Sequence, residues 1–280
     1  ASSRARERAR ELARFGTRFG LLASDHQGFV SGADRVRARH VLWCCEGVRK
    51  GDAGFLVRSD EIPEEWGPYL GDVVRPVLRA KSCVANAVLL EPVGEQWVIF
   101  LDEDVGDEAL LGPLGVHLGR LRPVLERRRE VAMGRMPWYR LHWPRDARAQ
   151  LGPKLVVPRR AASASFTLDL SASMVSSDCT FVTAPAQCPD PILHLAWVMV
   201  AMNAPWVGVA MQAVGKRKGT LWEFYSEPLA RMPLPLVVAG GVATLAPRWA
   251  DTAEGVALAE QVDAIMEAVY GSSSGGHTSA

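Results

Sequence analysis

Apolar residues along this chain come mostly in short runs bounded by Gly, Asp and Ser, and a helical period is kept only in a few longer segments. Short apolar runs between turn residues predict β-strands. The pattern therefore predicts a mixed α/β (α+β) fold with short strands in small sheets. The predicted strands are Val41–Cys45, VLLEP and QWVIFLD with a turn at Gly94 and Glu95, KLVVP, SFTLDL and CTFVTA.

Four helices stand out from this background. Leucines at 114, 118, 121 and 125 recur at spacings of four, three and four, which places them on one face of a helix. Its acidic start and arginine-rich end suit the helix dipole, and Pro113 and Pro123 divide or bend it. A further helix is expected to start within GTLWEFYSEPLARM. ALAEQVDAIMEAVY predicts a C-terminal amphipathic helix.

The remaining helix, Pro191–Val214, has no charged residue and is long enough to cross a bilayer. Against a membrane span stand the polar residues His194, Asn203 and Gln212, and Pro205 near the middle of the segment. We therefore expect a long apolar core helix that is broken or kinked at Pro205. No membrane is expected as a partner, and the membrane span stays open as the alternative.

The ends of the chain differ in composition from its centre. Residues 1–20 alternate Arg, Glu and Ala and predict a connector helix from an absent upstream domain, while residues 271–280 have the composition of a flexible tail. Residues 21–270 are then one domain. Five cysteines without a C-x-x-C pair fit neither a disulfide framework nor a zinc ribbon, so a cytoplasmic protein is expected.

Charge is unevenly distributed. The formal net charge is only +1, yet residues 127–160 contain ten basic residues and two acids, a local charge of +8. The acids concentrate in SDEIPEEW and LDEDVGDE. Clustered positive charge indicates an anionic partner more reliably than the total does.

A search for catalytic chemistry finds none. There is no G-x-G-x-x-G or Walker loop, no G-x-S-x-G elbow, and no histidine spacing of a metal site. The sequence therefore predicts no catalytic residue, no metal and no cofactor within this chain. An enzyme remains the least supported alternative.

Two stretches favour a binding surface. WYRLHWPRD followed by KLVVPRR interleaves aromatic rings with long cationic side chains, a combination that stacks on bases and neutralises phosphates. The alternative is that the tryptophans are core residues and the arginines a solvated face. GKRKGT is a second basic cluster between glycines, and it could equally be a solvated surface loop.

In chain order, several motifs resemble the C-terminal target-recognition region of TaqI-type N6-adenine DNA methyltransferases and of the fused restriction-modification enzymes built on them. QGFVSGADRV resembles the opening element of that region, and RPVLRAKS a following segment in which Ser82 replaces an expected acid. WYRLHWPRD, KLVVPRR and SSDCTFVT are similar to later elements. Three segments resemble the C-terminal end of that region. They are the apolar helix, in which Ala204 replaces a frequent serine, the GKRKGT loop and MPLPLV.

The resemblance runs from about Leu21 to Tyr270 and implies a module that recognises duplex DNA. In that family a separate N-terminal half binds S-adenosylmethionine and methylates a flipped adenine. A methyltransferase catalytic domain or subunit is therefore the second expected partner, and S-adenosylmethionine belongs to that absent part. The alternative function is a structural or protein-interaction module of a defence complex, docking through its basic face.

Twelve residues are predicted to form the DNA-binding surface, with Trp138 and Trp143 as buttresses rather than intercalators and two serines as polar contacts. They are Trp138, Arg140, Trp143, Arg145, Lys154, Arg159, Arg160, Ser176, Ser177, Lys216, Arg217 and Lys218.

Overall fold

The computed structural model describes residues 3–44, 46–103 and 111–271. It confirms the mixed α/β prediction, with 40% helix, 23% strand and several small sheets. The strands are β1 (Thr17–Arg18), β2 (Ser24–Gln27), β3 (Leu56–Arg58), β4 (Val74–Leu78), β5 (Val88–Leu89), β6 (Gln96–Ile99), β7 (Lys154–Pro158), β8 (Arg160–Ala161), β9 (Thr167–Asp169), β10 (Met174–Val175), β11 (Cys179–Thr183), β12 (Lys216–Lys218), β13 (Leu221–Glu223), β14 (Pro233–Leu234), β15 (Leu236–Ala239) and β16 (Val242–Leu245).

The α-helices are α1 (Ser3–Phe15), α2 (Ala38–Val41), α3 (Gly112–Gly119), α4 (Arg122–Leu125), α5 (Arg129–Ala132), α6 (Ala147–Leu151), α7 (Pro191–Asn203), α8 (Pro205–Val214), α9 (Ser226–Ala230), α10 (Pro247–Ala250) and α11 (Ala253–Gly271). Short 3-10 turns lie at Phe19–Leu21, Ser59–Glu61, Glu64–Tyr69 and Ala80–Ser82.

A five-stranded sheet in the order β2-β11-β7-β9-β5 forms the centre of the fold. Alternate residues of β7 point to opposite faces. Leu155 and Val157 join the larger core, which α7, α8 and α11 cover. Val156 packs on the other face with Leu78 of β4 and Phe181 of β11. The central strands are buried on both faces, which explains their continuous apolar runs.

The second sheet, in the order β10-β4-β6-β3, supports a separate core. The four leucines with helical spacing are buried there, on α3, on α4 and between them. This confirms the division at the prolines. Trp138, Tyr139 and Leu141 are buried in the same core, so the chain enters the basic stretch from an anchored position.

The apolar helix is divided as the sequence predicts. Ala204, which precedes Pro205, is extended with ψ 140°, because the proline ring disfavours a helical conformation there, and α7 and α8 meet at 76°. The Asn203 amide accepts from the Phe166 N–H and donates to the Phe166 carbonyl, both at 2.8 Å. Within the described ranges no single helix is long and apolar enough to cross a membrane, although this bent pair passes by length and composition.

The first helix is less solvated than its composition suggests. Ala9 and Leu12 of α1 are buried in the larger core, against α8. Glu254 at the start of α11 forms ion pairs with Arg4 at 2.6 Å and Arg8 at 3.2 Å. The helix is thus amphipathic, and its role as a connector stays a prediction.

Three local predictions are wrong. Val41 ends α2 and Leu42 is 84% exposed, so the predicted buried strand at Val41–Cys45 does not form; Cys45 itself lies outside the described residues. Gly94 forms a turn with φ 96°, but β5 pairs with β9 while β6 pairs with β3 and β4, because the second core attracts β6. The predicted helix after GTL is reduced to α9, since β13 occupies its first residues. The tail at 272–280 also lies outside the described residues.

Candidate nucleic-acid interface

A three-stranded sheet, β12-β13-β8, unites two basic stretches that are about sixty residues apart in sequence. Lys216 is directly opposite Glu223, and Glu223 is directly opposite Arg160. Directly opposed residues share one face of a sheet. The side chains of Lys216, Lys218 and Arg160 therefore lie on one face of this sheet. We call the three strands the basic sheet.

Arg217 belongs to the opposite face of the basic sheet. Its guanidinium carbon lies 4.4 Å from the centre of the Trp222 ring, its cross-strand neighbour. All three residues of β12 are exposed. Glu223, by contrast, is 5% exposed and accepts from Arg160 Nε at 3.1 Å. The buried carboxylate thus holds Arg160 on one side and lies opposite Lys216 on the other.

Beside the basic sheet lies a cleft of about 360 Å³ that we call the arginine cleft. Its lining residues are Ala80, Arg159, Arg160, Ser177, Asp178 and Tyr225. The guanidinium carbons of Arg159 and Arg160 lie 4.4 Å and 5.6 Å from the centre of the Tyr225 ring. One aromatic ring therefore supports two adjacent arginines by cation–π contact.

Backbone contacts fix the floor of the arginine cleft. The Arg159 N–H donates to the Asp178 carbonyl at 2.9 Å, and Arg159 Nη1 donates to the Ser177 carbonyl at 3.2 Å. Arg79 Nε donates to Asp178 Oδ2 at 3.1 Å. Arg159 Nε and Asp178 Oδ1 have no hydrogen-bond partner among the described residues. Both atoms are buried behind the surface of the cleft.

The exposed half of WYRLHWPRD forms a second candidate contact area, which we call the Trp143 corner. Trp143 is 47% exposed, and its backbone exchanges two hydrogen bonds with Val30 at 2.8 Å and 2.9 Å. Arg145 has a left-handed φ of 64°, which turns its side chain so that the guanidinium carbon lies 5.3 Å from the Trp143 ring. Arg145 Nη2 donates to Gln27 Oε1 at 3.2 Å.

Strand pairing places the Trp143 corner next to the arginine cleft. Gln27 is opposite Thr180, and Cys179 is opposite Pro158, the residue before Arg159. Gln27, which accepts from Arg145, and Val157, two residues before Arg159, are therefore two strands apart in the five-stranded sheet, which corresponds to about 10 Å. The arginine cleft and the basic sheet share Arg160, and together with the Trp143 corner they form the candidate surface.

This surface carries a net positive charge. Its cations are Arg79, Arg145, Arg148, Arg159, Arg160, Lys216, Arg217 and Lys218, and its carboxylates are Asp102, Glu103, Asp146, Asp178 and Glu223. The net charge of these groups is +3 when all carboxylates are ionised, and the positive charge is concentrated in the arginine cleft and the basic sheet. Such a density of arginine and lysine beside exposed aromatic rings suits a phosphate backbone.

Three predicted contact residues do not reach this surface. Lys154 is fully buried, with its ammonium 2.6 Å from Asp169 Oδ2, and burial lowers the pKa of Lys154. Ser176 is 5% exposed because it bridges to Phe29 and donates its N–H to Leu78. Trp138 is 7% exposed in the second core, so it can only buttress the surface.

Arg140 and Ser177 occupy intermediate positions. Arg140 is half-buried and donates through Nη2 to the Glu103 carbonyl at 3.1 Å, while its own carbonyl accepts from Arg128. Ser177 contributes its carbonyl to Arg159, as described above. Ser177 lines the arginine cleft, whereas Arg140 is not among its lining residues.

Sequence reasoning missed Tyr225, Gln27 and Arg79. Tyr225 lies in WEFYSE, where an aromatic residue after β13 could have been paired with the basic hairpin that precedes it. Gln27 is the first residue of QGFVSGADRV, and its neutral amide does not contribute to a charge pattern. Arg79 lies far from the +8 window in sequence, and only the fold brings it to Asp178.

The described residues contain no group of three or more His, Cys, Asp or Glu side chains able to hold a metal ion. The histidines whose pKa is shifted form contacts within the fold and do not belong to such a group. Burial lowers the pKa of His142, which lies 3.4 Å from Glu130, and the pKa of His194 inside the larger core.

No protein-family model matches this sequence, and a comparison with curated proteins found no match. Among solved structures, the chain is similar to the type IIL restriction-modification enzyme MmeI, whose structure was determined in complex with DNA. The identity is 12% and the TM-score 0.48, and the match covers 89% of this chain. The chain spans about a third of the length of the MmeI chain, of which 33% is covered.

Proposed function

We propose that this chain is a sequence-specific recognition module for duplex DNA that works with an N6-adenine methyltransferase or restriction-modification protein. The observation that carries the proposal is the register of the basic sheet, where Lys216 and Arg160 flank Glu223 on adjacent strands. Cations spaced by strand pairing follow a row of phosphates better than cations on one flexible loop would. The resemblance of the motifs, taken in chain order, supplies the link to adenine methyltransferases.

The surface would make two kinds of contact with DNA, one to phosphates and one to bases. Lys216, Lys218 and Arg160 would neutralise phosphates and position the duplex. Arg145 with Gln27 at the Trp143 corner would read base edges, because guanidinium groups pair with guanine and amides with adenine. Methyl transfer would belong to a separate catalytic part that binds S-adenosylmethionine.

The first test is binding to a random-sequence duplex over a range of salt concentrations. The variant R160A/K216A/K218A should bind more weakly and flatten the salt dependence by about 0.9 for each phosphate that is no longer neutralised, hence by up to about 3 in the logarithmic slope. R10A/R18A/R120A removes three exposed cations outside this surface and is the matched control. Equal slopes for the two triple variants would contradict the proposed surface.

A second test addresses specificity. Selection from a randomised duplex library should enrich one site for the wild-type chain, and R145A should relax the preference at some positions of that site. Failure of any duplex to bind at low salt, together with capture of an acidic protein by the same surface, would favour the protein-interaction alternative.

A further inference from the structure

Residues 37–50 form a protrusion that is closed at its base. The Val36 N–H donates to the Asp52 carbonyl, and the Gly51 N–H donates to the Val36 carbonyl, both at 2.9 Å. Arg35 ties the same base down by donating to the Gly51 carbonyl at 3.0 Å and pairing with Glu61 at 2.6 Å. A loop with its ends pinned together projects its centre as a compact unit.

The centre of the protrusion is apolar and exposed, and we call Val41, Leu42 and Trp43 the apolar tip. Their exposed fractions are 36%, 84% and 38%. Trp43 is held in place, with its ring stacked on His40 at 6.1 Å and covered by Arg127 at 4.6 Å. Leu42 therefore projects from an ordered base. Exposed apolar clusters with a polar rim mark interaction sites.

The rim of the apolar tip is cationic. Arg37, Arg39, Arg49 and Lys50 are exposed on the protrusion, and Arg127 is exposed beside Trp43. Within the described ranges none of these five side chains forms an ion pair with a carboxylate. Glu46 is the one acid among residues 37–50, whose net charge is thus +3 with His40 neutral. The occupant of this tip must combine negative charge with an apolar interior.

Duplex DNA has this combination, because phosphates border each groove and stacked bases lie between them. We propose that the apolar tip is a second DNA contact, in which Leu42 wedges into a base step from the minor groove while the surrounding cations neutralise phosphates on both sides. Proteins that insert apolar side chains in this way unstack the step and bend the duplex. This inference rests on the proposed function.

The position of the tip along the chain supports contact with the same duplex. Val30 pairs with Trp143, and Arg37 begins the protrusion seven residues later. Arg127 covers Trp43, and the next residue, Arg128, donates to the carbonyl of Ser31 at 3.4 Å, beside the pairing of Val30 with Trp143. Two consecutive arginines thus link the apolar tip to the Trp143 corner, which supports contact of both with one duplex.

The test compares L42S with L21S in the full chain. Leu21 is 72% exposed and is not flanked by a comparable set of cations, so it is a matched control. Duplexes carrying 2-aminopurine at successive positions report unstacking, and fluorescence transfer between labelled ends reports bending. We expect wild type and L21S to unstack one step and bend the duplex. L42S should lose both signals and bind about tenfold more weakly, as expected when one leucine is no longer buried.

The outcomes separate this inference from the proposed function. If wild type binds duplex and R160A/K216A/K218A weakens binding, but L42S behaves as L21S does, the wedge is overturned and the recognition surface stands. If no duplex binds, both fall. If phosphatidylserine vesicles bind wild type but not L42S, while 2-aminopurine shows no unstacking, the tip is a lipid contact and the wedge is overturned.

Discussion

Lys154 Nζ lies 2.6 Å from Asp169 Oδ2, with both side chains fully buried and directly opposite each other in β7 and β9. The other carboxylate oxygen of Asp169 accepts from the Ser171 N–H at 3.0 Å and hydroxyl at 2.5 Å. The pair is thus part of the sheet that supports the interface. A lysine in a basic sequence motif here serves the fold and not the surface.

Removing one partner of this pair should unfold the protein more easily. K154A leaves a buried carboxylate without its counter-charge, and breaking a buried pair costs about 3–5 kcal/mol. The free energy of unfolding, measured by urea denaturation, should fall by that amount in K154A and in D169N. K154M/D169L, which replaces both charges with apolar side chains, should recover most of it. A fully stable K154A that binds DNA weakly would instead restore Lys154 to the interface.

We expect that lysine cannot replace Arg128 without a loss of stability, whereas it can replace the neighbouring Arg127. Arg128 is half-buried and donates to the carbonyls of Leu125, Ser31, Arg140 and Trp138, and burial lowers its pKa to about 10. One ammonium cannot reach four carbonyls with the geometry of a guanidinium. R128K should lose about 2 kcal/mol or more of stability, while R127K, an exposed control, should lose almost none. Equal melting temperatures for the two variants would show that the carbonyl contacts contribute little.

His194 should make the protein less stable in mild acid. Its Nε2 lies 2.7 Å from the Leu22 carbonyl, and the Ala243 N–H donates to Nδ1 at 2.9 Å, which together require the neutral ring. Burial lowers the pKa of His194 below its ordinary value of 6.5. The unfolded chain therefore takes up a proton first as pH falls. The stability contributed by this residue is present above about pH 6.5 and is lost as pH falls toward the folded pKa.

The measurement is the free energy of unfolding of wild type and H194Q at pH 7.5 and pH 5.0. Wild type should lose more stability between these values than H194Q, which has no group that titrates at this position. Burial also lowers the pKa of His40, His117 and His142, so H194Q should keep part of the slope. An unchanged slope in H194Q would assign the acid sensitivity to those three residues.

Residue patterns predicted the elements better than they predicted their neighbours. The leucine spacing, the break at Pro205 and the strands β7, β9 and β11 all follow from local preferences. Strand pairing does not follow from them. β6 pairs in the second sheet and not with β5, and Leu42 is exposed and not buried, because strand partners and burial depend on contacts distant in sequence. Likewise the basic stretches identified Arg159, Arg160 and Lys216, but local sequence could not distinguish buried Lys154 from its exposed neighbours.

Tyr225 should contribute to DNA binding through its ring rather than its hydroxyl. The ring lies 4.4 Å from the guanidinium carbon of Arg159 and 5.6 Å from that of Arg160, and it holds both above the cleft. Y225A should weaken duplex binding severalfold, because each exposed cation–π interaction that it removes contributes about 0.5–1 kcal/mol. Y225F keeps the ring and should bind as wild type does. Comparable losses of affinity in both variants would instead indicate a hydrogen bond from the hydroxyl to DNA.

Glu223 should restrain DNA binding, which distinguishes the basic sheet from a random cluster of cations. The carboxylate is opposite both Lys216 and Arg160, and it accepts from Arg160 Nε at 3.1 Å. E223Q keeps an oxygen acceptor but removes the charge, so Arg160 and Lys216 should attract phosphates more strongly. We expect tighter binding to random duplex and a steeper salt dependence. E11Q changes the net charge equally at an ion pair with Arg8 on α1, away from both proposed DNA contacts, and is the control. Weaker binding by E223Q would mean that the carboxylate is needed to hold Arg160 in its binding position, since the amide then fails to hold the guanidinium over the cleft.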